Sequence, residues 1–572
     1  MRCLSYWVYR LRGGDRRQRY FVTGNPALDA GYWQERQATI TVLTPPLSIA
    51  RAEHLQRLLQ QLLPRDELEL SVVRRELRRL GEAAAITPQP VQPGVCSAQD
   101  EARLLLELLE GRILLLEEVE QLVREQRLFF QESLPDLLQY LYLEGLIDCR
   151  AAVAEYPVQR CLRCGSRDLR QEPCLECGDT ASWVCQSCRQ LGQASSCSPY
   201  YAVPSQGRLE RREVALRLPQ PLSPAQSAAS QRLLEFVVSP QRSSCLFWTV
   251  AGAGADSAVL PALQQTLAAG GRALWIRPRR DLALQLQPLL AAAFPEVRVT
   301  TTRDRMADLQ IATPSQAMRR FADFDLVLLD EVAAFPDLQN PLLELVSQRA
   351  VKSSGKLIYL TATPTRDQLQ QVQRGKMAEV ILAARLHGQP LPQPVLQLGR
   401  LGGVREFAWP IPAGLDEFLQ ESMERDLSQI LVVVPDDELA QQVGRALKSH
   451  FSRQRSPEWV EFVHEADDLL VSKRNRFLQG EYPILVTPPL LQRDIRLPRL
   501  NLAVLYAERD DVFTEAVLID LAQRIGLLPE YPQGRVSFFA ERRSGAMLAA
   551  VDKIRALNQL AAQPAIVSKE EA

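Results

Sequence analysis

The sequence predicts an α/β protein with two parallel-sheet lobes in tandem, preceded by a helical region and a cysteine-rich module. Three observations lead to this prediction. Beyond residue 210, short apolar strands alternate with amphipathic helices, which is typical of parallel sheets. A Pro/Gly-rich stretch at 387–403 divides that region into two blocks. Upstream, cysteines crowd between Cys161 and Cys197, and in a long chain this density favours metal ligands over disulfides.

Composition and charge restrict the functional classes. Of the 572 residues, 46% are hydrophobic and 24% are charged, the proportions of a globular protein, which excludes wholesale disorder. The 67 Lys and Arg against 68 Asp and Glu give a formal net charge of -1, so any nucleic-acid surface has to be a local patch. No apolar run reaches the ~18 to 20 residues of a membrane span, and residues 1–15 lack the apolar core of a signal peptide. We therefore expect a cytoplasmic protein.

The N-terminal third is predicted to contain two units. Residues 1–85 mix strand-like and helical stretches and suggest no chemistry, and a Pro-rich linker at 86–97 ends them. Over 97–155 apolar residues recur at helical spacing, with Ser133 as an N-cap and Gly145 at the end of the last helix. Helices followed by a short strand are winged-helix-like, and such a unit can place a helix in a DNA groove. The alternative is a helical packing module that does not touch nucleic acid.

The cysteine-rich module, residues 156–203, is predicted to be zinc-ribbon-like. A two-residue spacer lets both thiolates of a C-x-x-C pair face one ion, at about 2.3 Å for Zn²⁺. The pairs are Cys161 with Cys164, Cys174 with Cys177, and Cys185 with Cys188. We expect the first two pairs, each followed by Gly, to form one structural Zn²⁺ site, with the third pair as competing or additional ligands. Cys197 makes seven cysteines, so two closed four-ligand sites would lack a ligand. A redox or free-thiol role is the alternative.

Residues 210–390 form the first predicted lobe and carry a phosphate-loop pattern. A strand at 245–250 runs into a Gly-rich loop and then an apolar helix, where backbone amides and the helix N-terminus would cradle a triphosphate. The residues at these positions are Gly252, Ala253, Gly254, Ala255 and Asp256. Ala255 stands where a Lys is expected, and Asp256 stands where a hydroxyl is expected. Losing a cation about 4 Å from the phosphates forfeits on the order of 4 kcal/mol at an effective dielectric of 20.

Further motifs of a nucleotide site follow in order. Asp330 and Glu331 come directly after an apolar strand, where they would hold Mg²⁺ and orient the attacking water. Thr361, Ala362 and Thr363 end another strand, as a coupling motif would, and Gln226 lies before the first strand, where it would read adenine. The strands predicted for this lobe lie at 245–250, 273–276, 310–313, 326–329 and 356–360. Those predicted for the second lobe, residues 404–560, lie at 430–434, 459–463, 484–486, 502–505 and 536–539.

In this order, the motifs resemble those of the superfamily 2 helicases, and the arrangement resembles the ComFA family of late-competence proteins, with a more distant similarity to PriA helicases. The resemblance implies two RecA-like lobes behind a zinc module, in an ATP-driven motor that helps internalise single-stranded DNA. This sequence also departs from the family pattern at several positions. The motif that begins at Asp330 has Ala333 where the family has Asp. Of two expected arginines only Arg524 remains, with Leu527 at the arginine-finger position and Asp520 in place of Gln.

The same resemblance implies positions that track a DNA strand. Backbone amides, hydroxyls and guanidinium groups at such loop ends bind phosphates without reading bases. The positions are Arg279, Arg280, Thr313, Thr487 and Arg493. The alternative is an Arg-rich solvated face without DNA contact.

Two hypotheses of function remain open at the level of sequence. In the first, the protein is a ComFA-like pseudo-motor with structural Zn²⁺ and little ATP hydrolysis, which binds single-stranded DNA and other competence or DNA-processing proteins. It would be cytoplasmic, at the inner face of the membrane through its partners. In the second, it is an active DNA translocase of competence, or of PriA-like replication restart, that uses ATP and Mg²⁺ with a cation supplied from elsewhere in the chain.

Overall fold

Buried apolar strands and the helices between them determine the architecture, which a computed structural model describes for most of the chain. The described residues are 4–13, 18–61, 66–82, 87–94, 99–205, 207, 210–301, 307–330, 341–402, 409, 411–454, 456–489, 491, 495 and 497–563. Two predicted site residues, Glu331 and Arg493, lie outside these ranges. Within them, we find no helix with both the length and the apolar character that a membrane span needs.

The N-terminal unit is an antiparallel sheet with helices packed on it, in strand order β2-β1-β3-β4. Its buried strand positions include Val8, Tyr9 and Ile40. The elements are β1 (Trp7–Arg12), β2 (Gln18–Thr23), α1 (Pro26–Gln34), β3 (Thr39–Val42), α2 (Ile49–Gln61), α3 (Asp66–Arg79) and β4 (Gln89–Pro90).

The next unit has the order of a winged helix, with the cysteine module inserted between the two strands of its wing. Its elements are α4 (Gln99–Leu109), β5 (Arg112–Leu115), α5 (Leu116–Glu125), α6 (Leu134–Leu143) and β6 (Asp148–Ala151). The module follows with β7 (Val153–Ala154), β8 (Arg160–Cys161), β9 (Leu169–Glu172) and β10 (Ser182–Cys185), and the chain returns as β11 (Pro199–Val203). Strand β11 lies between β5 and β6, and Pro199 pairs with Ala151.

Helix α6, the helix that a winged-helix protein would offer to DNA, contacts the N-terminal unit instead. The Gln139 amide donates to Asp29 Oδ2 at 3.1 Å, and the Tyr32 hydroxyl donates to the Leu143 carbonyl at 3.2 Å. The predicted N-cap is confirmed, since Ser133 accepts from the Asp136 amide. These contacts favour the packing alternative for this unit.

Lobe 1 is a parallel sheet in the order β14-β15-β13-β16-β17-β12-β18. Its strands are buried on both faces, as parallel sheets require. The elements are α7 (Pro224–Val238), β12 (Ser244–Thr249), α8 (Ala255–Ala268), β13 (Ala273–Ile276), α9 (Arg280–Ala293), β14 (Val299–Thr300), β15 (Leu309–Ala312), α10 (Pro314–Ala317), β16 (Phe324–Asp330), α11 (Pro341–Ala350), β17 (Val351–Thr361), α12 (Arg366–Gln373) and β18 (Ala378–Leu382).

Lobe 2 is a second parallel sheet, in the order β19-β24-β23-β20-β22-β21. Together the sheets form the two tandem RecA-like lobes that the sequence predicts. The elements are β19 (Val395–Leu398), α13 (Ala413–Glu424), β20 (Gln429–Val433), α14 (Asp437–Gln454), β21 (Val460–Phe462), α15 (Leu470–Leu478), β22 (Ile484–Thr487), β23 (Leu500–Leu505), α16 (Glu515–Gln523), β24 (Val536–Ala540) and α17 (Gly545–Ala562).

Every strand predicted for the lobes is present within a few residues, but the boundary between the lobes differs. The stretch 387–403, predicted as a separator, contains β19, which pairs with β24. Lobe 2 therefore begins before residue 404. This edge strand has exposed Val395 and Leu398, and it lacks the continuous apolar run by which the other strands are recognised.

Asp29 gives the N-terminal unit a pH-dependent stability. The carboxylate is fully buried and accepts from the Thr23 hydroxyl at 2.9 Å as well as from Gln139. Burial raises the pKa of Asp29 from 3.8 to about 7. Because the folded pKa is the higher one, the stability that protonation contributes is complete below the unfolded pKa and is lost as pH rises to about 7.

We expect the free energy of unfolding of the wild type to fall relative to that of Asp29→Asn by about 1.4 kcal/mol per pH unit between about pH 5 and pH 7. Urea unfolding at several pH values measures this difference. Asp100→Asn, at an exposed position, is the control and should follow the wild type. A difference between Asp29→Asn and wild type that does not change with pH would contradict the assignment.

Candidate functional site

The predicted phosphate loop, Ala251–Gly254, joins β12 to α8 at the carboxyl edge of the lobe 1 sheet. Gly252 and Gly254 have positive φ values of 82° and 68°, a conformation that glycine adopts without strain. Helix α8 begins directly after Gly254. The loop and the helix N-terminus thus have the arrangement that the sequence predicts for phosphate binding.

Gln226, predicted to read adenine, contacts the phosphate loop itself. Its amide nitrogen donates to the carbonyls of Ala253 at 2.9 Å and Gly254 at 3.1 Å. Its amide oxygen accepts from the Ser223 backbone in a capping box at the start of α7. A Cβ at Gly254 would lie 2.4 Å from Gln226 Nε2, so the approach of the two segments requires glycine there.

Arg277 is the site residue that the sequence interpretation missed. It follows β13 directly and is buried, with 9% of its surface exposed. Its guanidinium lies between the two acidic positions of the site, with Nη2 2.9 Å from Asp256 Oδ1 and Nη1 2.6 Å from Asp330 Oδ2. One cation therefore joins the first turn of α8 to the end of β16.

Asp330 ends β16, as predicted for a carboxylate that would hold Mg²⁺, and is 8% exposed. The predicted coupling residues begin at Thr361, the last residue of the neighbouring strand β17, and continue with Ala362 and Thr363. The Thr361 hydroxyl accepts from the Thr363 amide at 3.1 Å, and the Ala362 carbonyl accepts from the Trp248 indole at 3.2 Å. This segment is thereby attached to β12, the strand that leads into the phosphate loop.

Lobe 2 packs on the other side of the phosphate loop. Gln523 Oε1 accepts from the Ala251 amide at 3.0 Å. Leu527, at the position implied for an arginine finger, lies within 3.3 Å of a Cβ built on Gly252. Arg524 points its guanidinium at Asp520, with Nε 3.0 Å from Oδ2, in an ion pair within its own helix region.

Arg385 fixes the contact between the lobes. Its guanidinium is buried and donates to the carbonyls of Gly526 at 2.6 Å, Gln523 at 2.6 Å and Ile525 at 2.9 Å, just past the end of α16. A cation at a helix C-terminus satisfies carbonyls that the helix leaves open. Burial lowers the pKa of Arg385 to about 10, so it remains charged near neutral pH.

One group of cysteines that could hold a metal ion, here named the first metal centre, consists of Cys161, Cys164, Cys185 and Cys188. All are buried, and their sulfur atoms lie within 4.8 Å of one another, which suits a closed tetrahedral Zn²⁺ site. The prediction that the first two pairs share an ion is wrong for this arrangement, because β10 brings the third pair next to the first. The remaining cysteines, Cys174, Cys177 and Cys197, form a separate group.

Three arginines connect the first metal centre to lobe 1. Arg163, between two ligands, is fully buried and lies 2.5 Å from Glu118 Oε1. Arg319 of lobe 1 reaches the same carboxylate oxygen at 2.6 Å. Arg349 at the end of α11 donates to the carbonyls of Leu162 and Arg163 and to the Tyr200 hydroxyl.

The predicted DNA positions that the structure describes lie at or near the carboxyl ends of strands in both lobes. Arg279 lies 2.6 Å from Asp281, and Arg280 is exposed at the first turn of α9. Thr313 caps α10, with its hydroxyl 3.1 Å from that of Ser315. Thr487 is fully buried and donates to the Pro488 carbonyl, so its hydroxyl is not available to a phosphate in this conformation.

The chain is similar to known competence proteins. Residues 97–202 match the family described as the competence protein ComFA N-terminal domain. Over 421 residues the chain is 28% identical to competence protein ComFA of Bacillus subtilis (strain 168), covering 71% of this chain and 86% of that protein. The chain is ComFA-like. ComFA of Streptococcus pneumoniae (strain ATCC BAA-255 / R6) is 26% identical over 413 residues, covering 70% of this ComFA-like chain and 90% of that protein.

Solved structures similar to this ComFA-like chain include proteins with nucleic acid bound. One is RecG bound to a three-way DNA junction, with a TM-score of 0.41 and 18% identity over 60% of this chain and 45% of that one. Another is Dbp5 of S. cerevisiae bound to RNA and ADP BeF3, with a TM-score of 0.39 and 14% identity over 58% of this chain and 87% of that one.

The ligand pairing of the first metal centre predicts the effect of losing Cys185. We expect Cys185→Ser to lower the zinc content by about one ion per chain, because the site is buried and an external ligand cannot readily replace the lost thiolate, and to lower the thermal unfolding temperature. Elemental analysis of the purified chain measures the metal. Cys245→Ala, in the core of lobe 1, is the control. An unchanged zinc content in Cys185→Ser would instead favour a site made of the first two pairs.

Proposed function

We propose that this protein is a ComFA-like, helicase-fold protein of DNA uptake that binds single-stranded DNA and hydrolyses little or no ATP. Similarity to competence proteins of two bacteria supports the role in DNA uptake. The observation that carries the proposal of a silent nucleotide site is the ion pairing of Arg277 with both Asp256 and Asp330.

The electrostatics of this bridge oppose the binding of a magnesium nucleotide. Mg²⁺ would require the Asp330 carboxylate that Arg277 occupies at 2.6 Å. Breaking this buried ion pair costs free energy that the bound nucleotide would have to supply. Asp256 would at the same time repel the phosphates that a Lys and a hydroxyl normally attract.

The contribution of lobe 2 to ATP hydrolysis would be weakened for a separate reason. Leu527 packs on the phosphate loop with an apolar side chain, and Arg524 is engaged by Asp520. An arginine finger is worth about 10³ to 10⁵ in rate. The Lys expected in lobe 1 and the arginine finger expected in lobe 2 are both replaced. The protein would then retain the fold of an ATP-driven motor without the cations that stabilise the phosphates.

The alternative function, an active translocase, is favoured by the same arginine. Arg277 could supply the cation that Ala255 lacks, since its guanidinium already lies beside the first turn of α8. The two functions predict opposite effects of removing Arg277, so one substitution separates them.

For a silent site we expect no binding of a fluorescent ATP analogue with Mg²⁺ up to about 1 mM, the upper end of ordinary substrate constants, and no phosphate release with single-stranded DNA. Arg277→Ala should not weaken any residual binding. A triple variant that combines Arg277→Ala with Ala255→Lys and Asp256→Ser should bind the ATP analogue measurably. Binding by the wild type that Arg277→Ala weakens about 10-fold or more, equivalent to at least about 1.4 kcal/mol, would support the translocase.

We further propose that single-stranded DNA binds along the carboxyl edge of the two sheets, where Arg279, Arg280 and Thr313 lie in lobe 1. The residues directly after Thr487 would extend this path in lobe 2. Such contacts to phosphates give affinity without sequence preference. The protein would act in the cytoplasm, beside membrane-bound uptake machinery to which partner proteins recruit it.

Replacing Arg279 and Arg280 together by Ala should weaken single-stranded DNA binding equally for all sequences. The slope of log affinity against log salt should become shallower by about 1.4, which is the loss of two phosphate contacts. Fluorescence anisotropy at several salt concentrations measures both. Arg374→Ala removes an exposed arginine beyond α12, near the opposite edge of the sheet, and should leave the slope unchanged. Equal slopes for all three proteins would exclude this path.

A further inference from the structure

Cys174, Cys177 and Cys197 lie together although they are not part of the first metal centre. Their sulfur atoms lie within 4.8 Å of one another, and the sulfurs of Cys177 and Cys197 are 3.4 Å apart. Cys174 and Cys177 belong to a turn between β9 and β10, whereas Cys197 comes from the segment just before β11. Sequence spacing could not associate Cys197 with this turn.

The turn that carries Cys174 and Cys177 has the same construction as the one that carries Cys161 and Cys164. In each, the glycine after the second cysteine has a positive φ, 80° at Gly165 and 75° at Gly178. Its amide donates to the carbonyl of the first cysteine, at 2.9 Å from Gly165 and 3.1 Å from Gly178. This backbone directs both thiols of a pair to one side, as a shared metal ion requires.

We propose that Cys174, Cys177 and Cys197 bind a second Zn²⁺ ion through three thiolates, with the fourth position open to water or an external ligand. Among the residues that the structure describes, no carboxylate or imidazole joins this group as a fourth ligand. Three protein ligands with an open position distinguish accessible zinc sites from closed structural ones. The first metal centre, with four buried thiolates, is of the closed kind.

Asp179 is close in sequence but does not join the group of three sulfurs, and its buried Oδ2 makes no hydrogen bond within the described part of the chain. Its Oδ1 accepts from Arg51 at 3.0 Å and from the Ala181 amide at 3.1 Å. The Ala50 amide, in the first turn of α2, donates to the Ser196 carbonyl at 3.1 Å. The N-terminal unit thus packs against the segment that carries Cys197.

The two centres also differ in their exposure to solvent. Cys174 and Cys177 are half-buried, and Leu175 between them is 95% exposed. The second ion would therefore exchange and meet chelators or external thiols more readily than the first.

The test is the metal content of the full chain, together with the rate at which a coloured chelator removes zinc. The wild type should hold about two Zn²⁺ ions, of which one is released in a fast phase. Cys197→Ser and Cys174→Ser should each hold about one ion and lack the fast phase. Cys185→Ser should keep the fast phase, and Cys245→Ala should behave as the wild type.

Cys174 is half-buried, so its substitution keeps the test informative if the variant of buried Cys197 fails to fold. A wild type that holds a single ion, with Cys174→Ser retaining it, would overturn the proposal. So would a disulfide between Cys177 and Cys197 in protein purified under reducing conditions, detected by mass spectrometry of alkylated peptides. Two ions with one fast phase that Cys174→Ser removes would support it.

Discussion

The parallel register of lobe 1 is the constraint on which the nucleotide site depends. Ile276 at the end of β13 pairs with Leu329, and Asp330 pairs with Leu360 of β17. Because parallel strands end at one edge of the sheet, residues far apart in sequence meet there. The same convergence that would assemble a magnesium nucleotide site brings Arg277 against Asp330. Arg277, the residue that follows β13, thereby forms an ion pair at the edge where the strands end.

The lobes could be predicted from the sequence because their strands are buried on both faces and appear as apolar runs between helices. The phosphate loop could be found because its glycines follow such a run directly. The role of Arg277 could not be predicted, because it depends on β13 lying beside β16. Local hydrophobic periodicity does not indicate the order of strands in a sheet. Strand β19 was missed for a related reason, because an exposed edge strand has no apolar run to mark it.

The metal ligands show the same division between local and long-range information. The C-x-x-C spacing identifies each turn, since it is set by the backbone between two neighbouring cysteines. Which turns share an ion depends instead on the antiparallel pairing of β9 with β10, where Cys185 lies opposite Leu169. The spacing therefore predicted cysteine pairs that could hold a metal ion but not which pairs lie together, and Cys197 carried no signal by itself.

The insertion of the cysteine module into the wing has a mechanical consequence. The chain enters and leaves the module at one pair of residues in the sheet, where Ala151 pairs with Pro199, and Arg349 fastens the module to α11. Helix α6 is in turn attached to the N-terminal unit. The module is therefore held on several sides. A separation of the two lobes would have to break the contact of Arg385 with the end of α16.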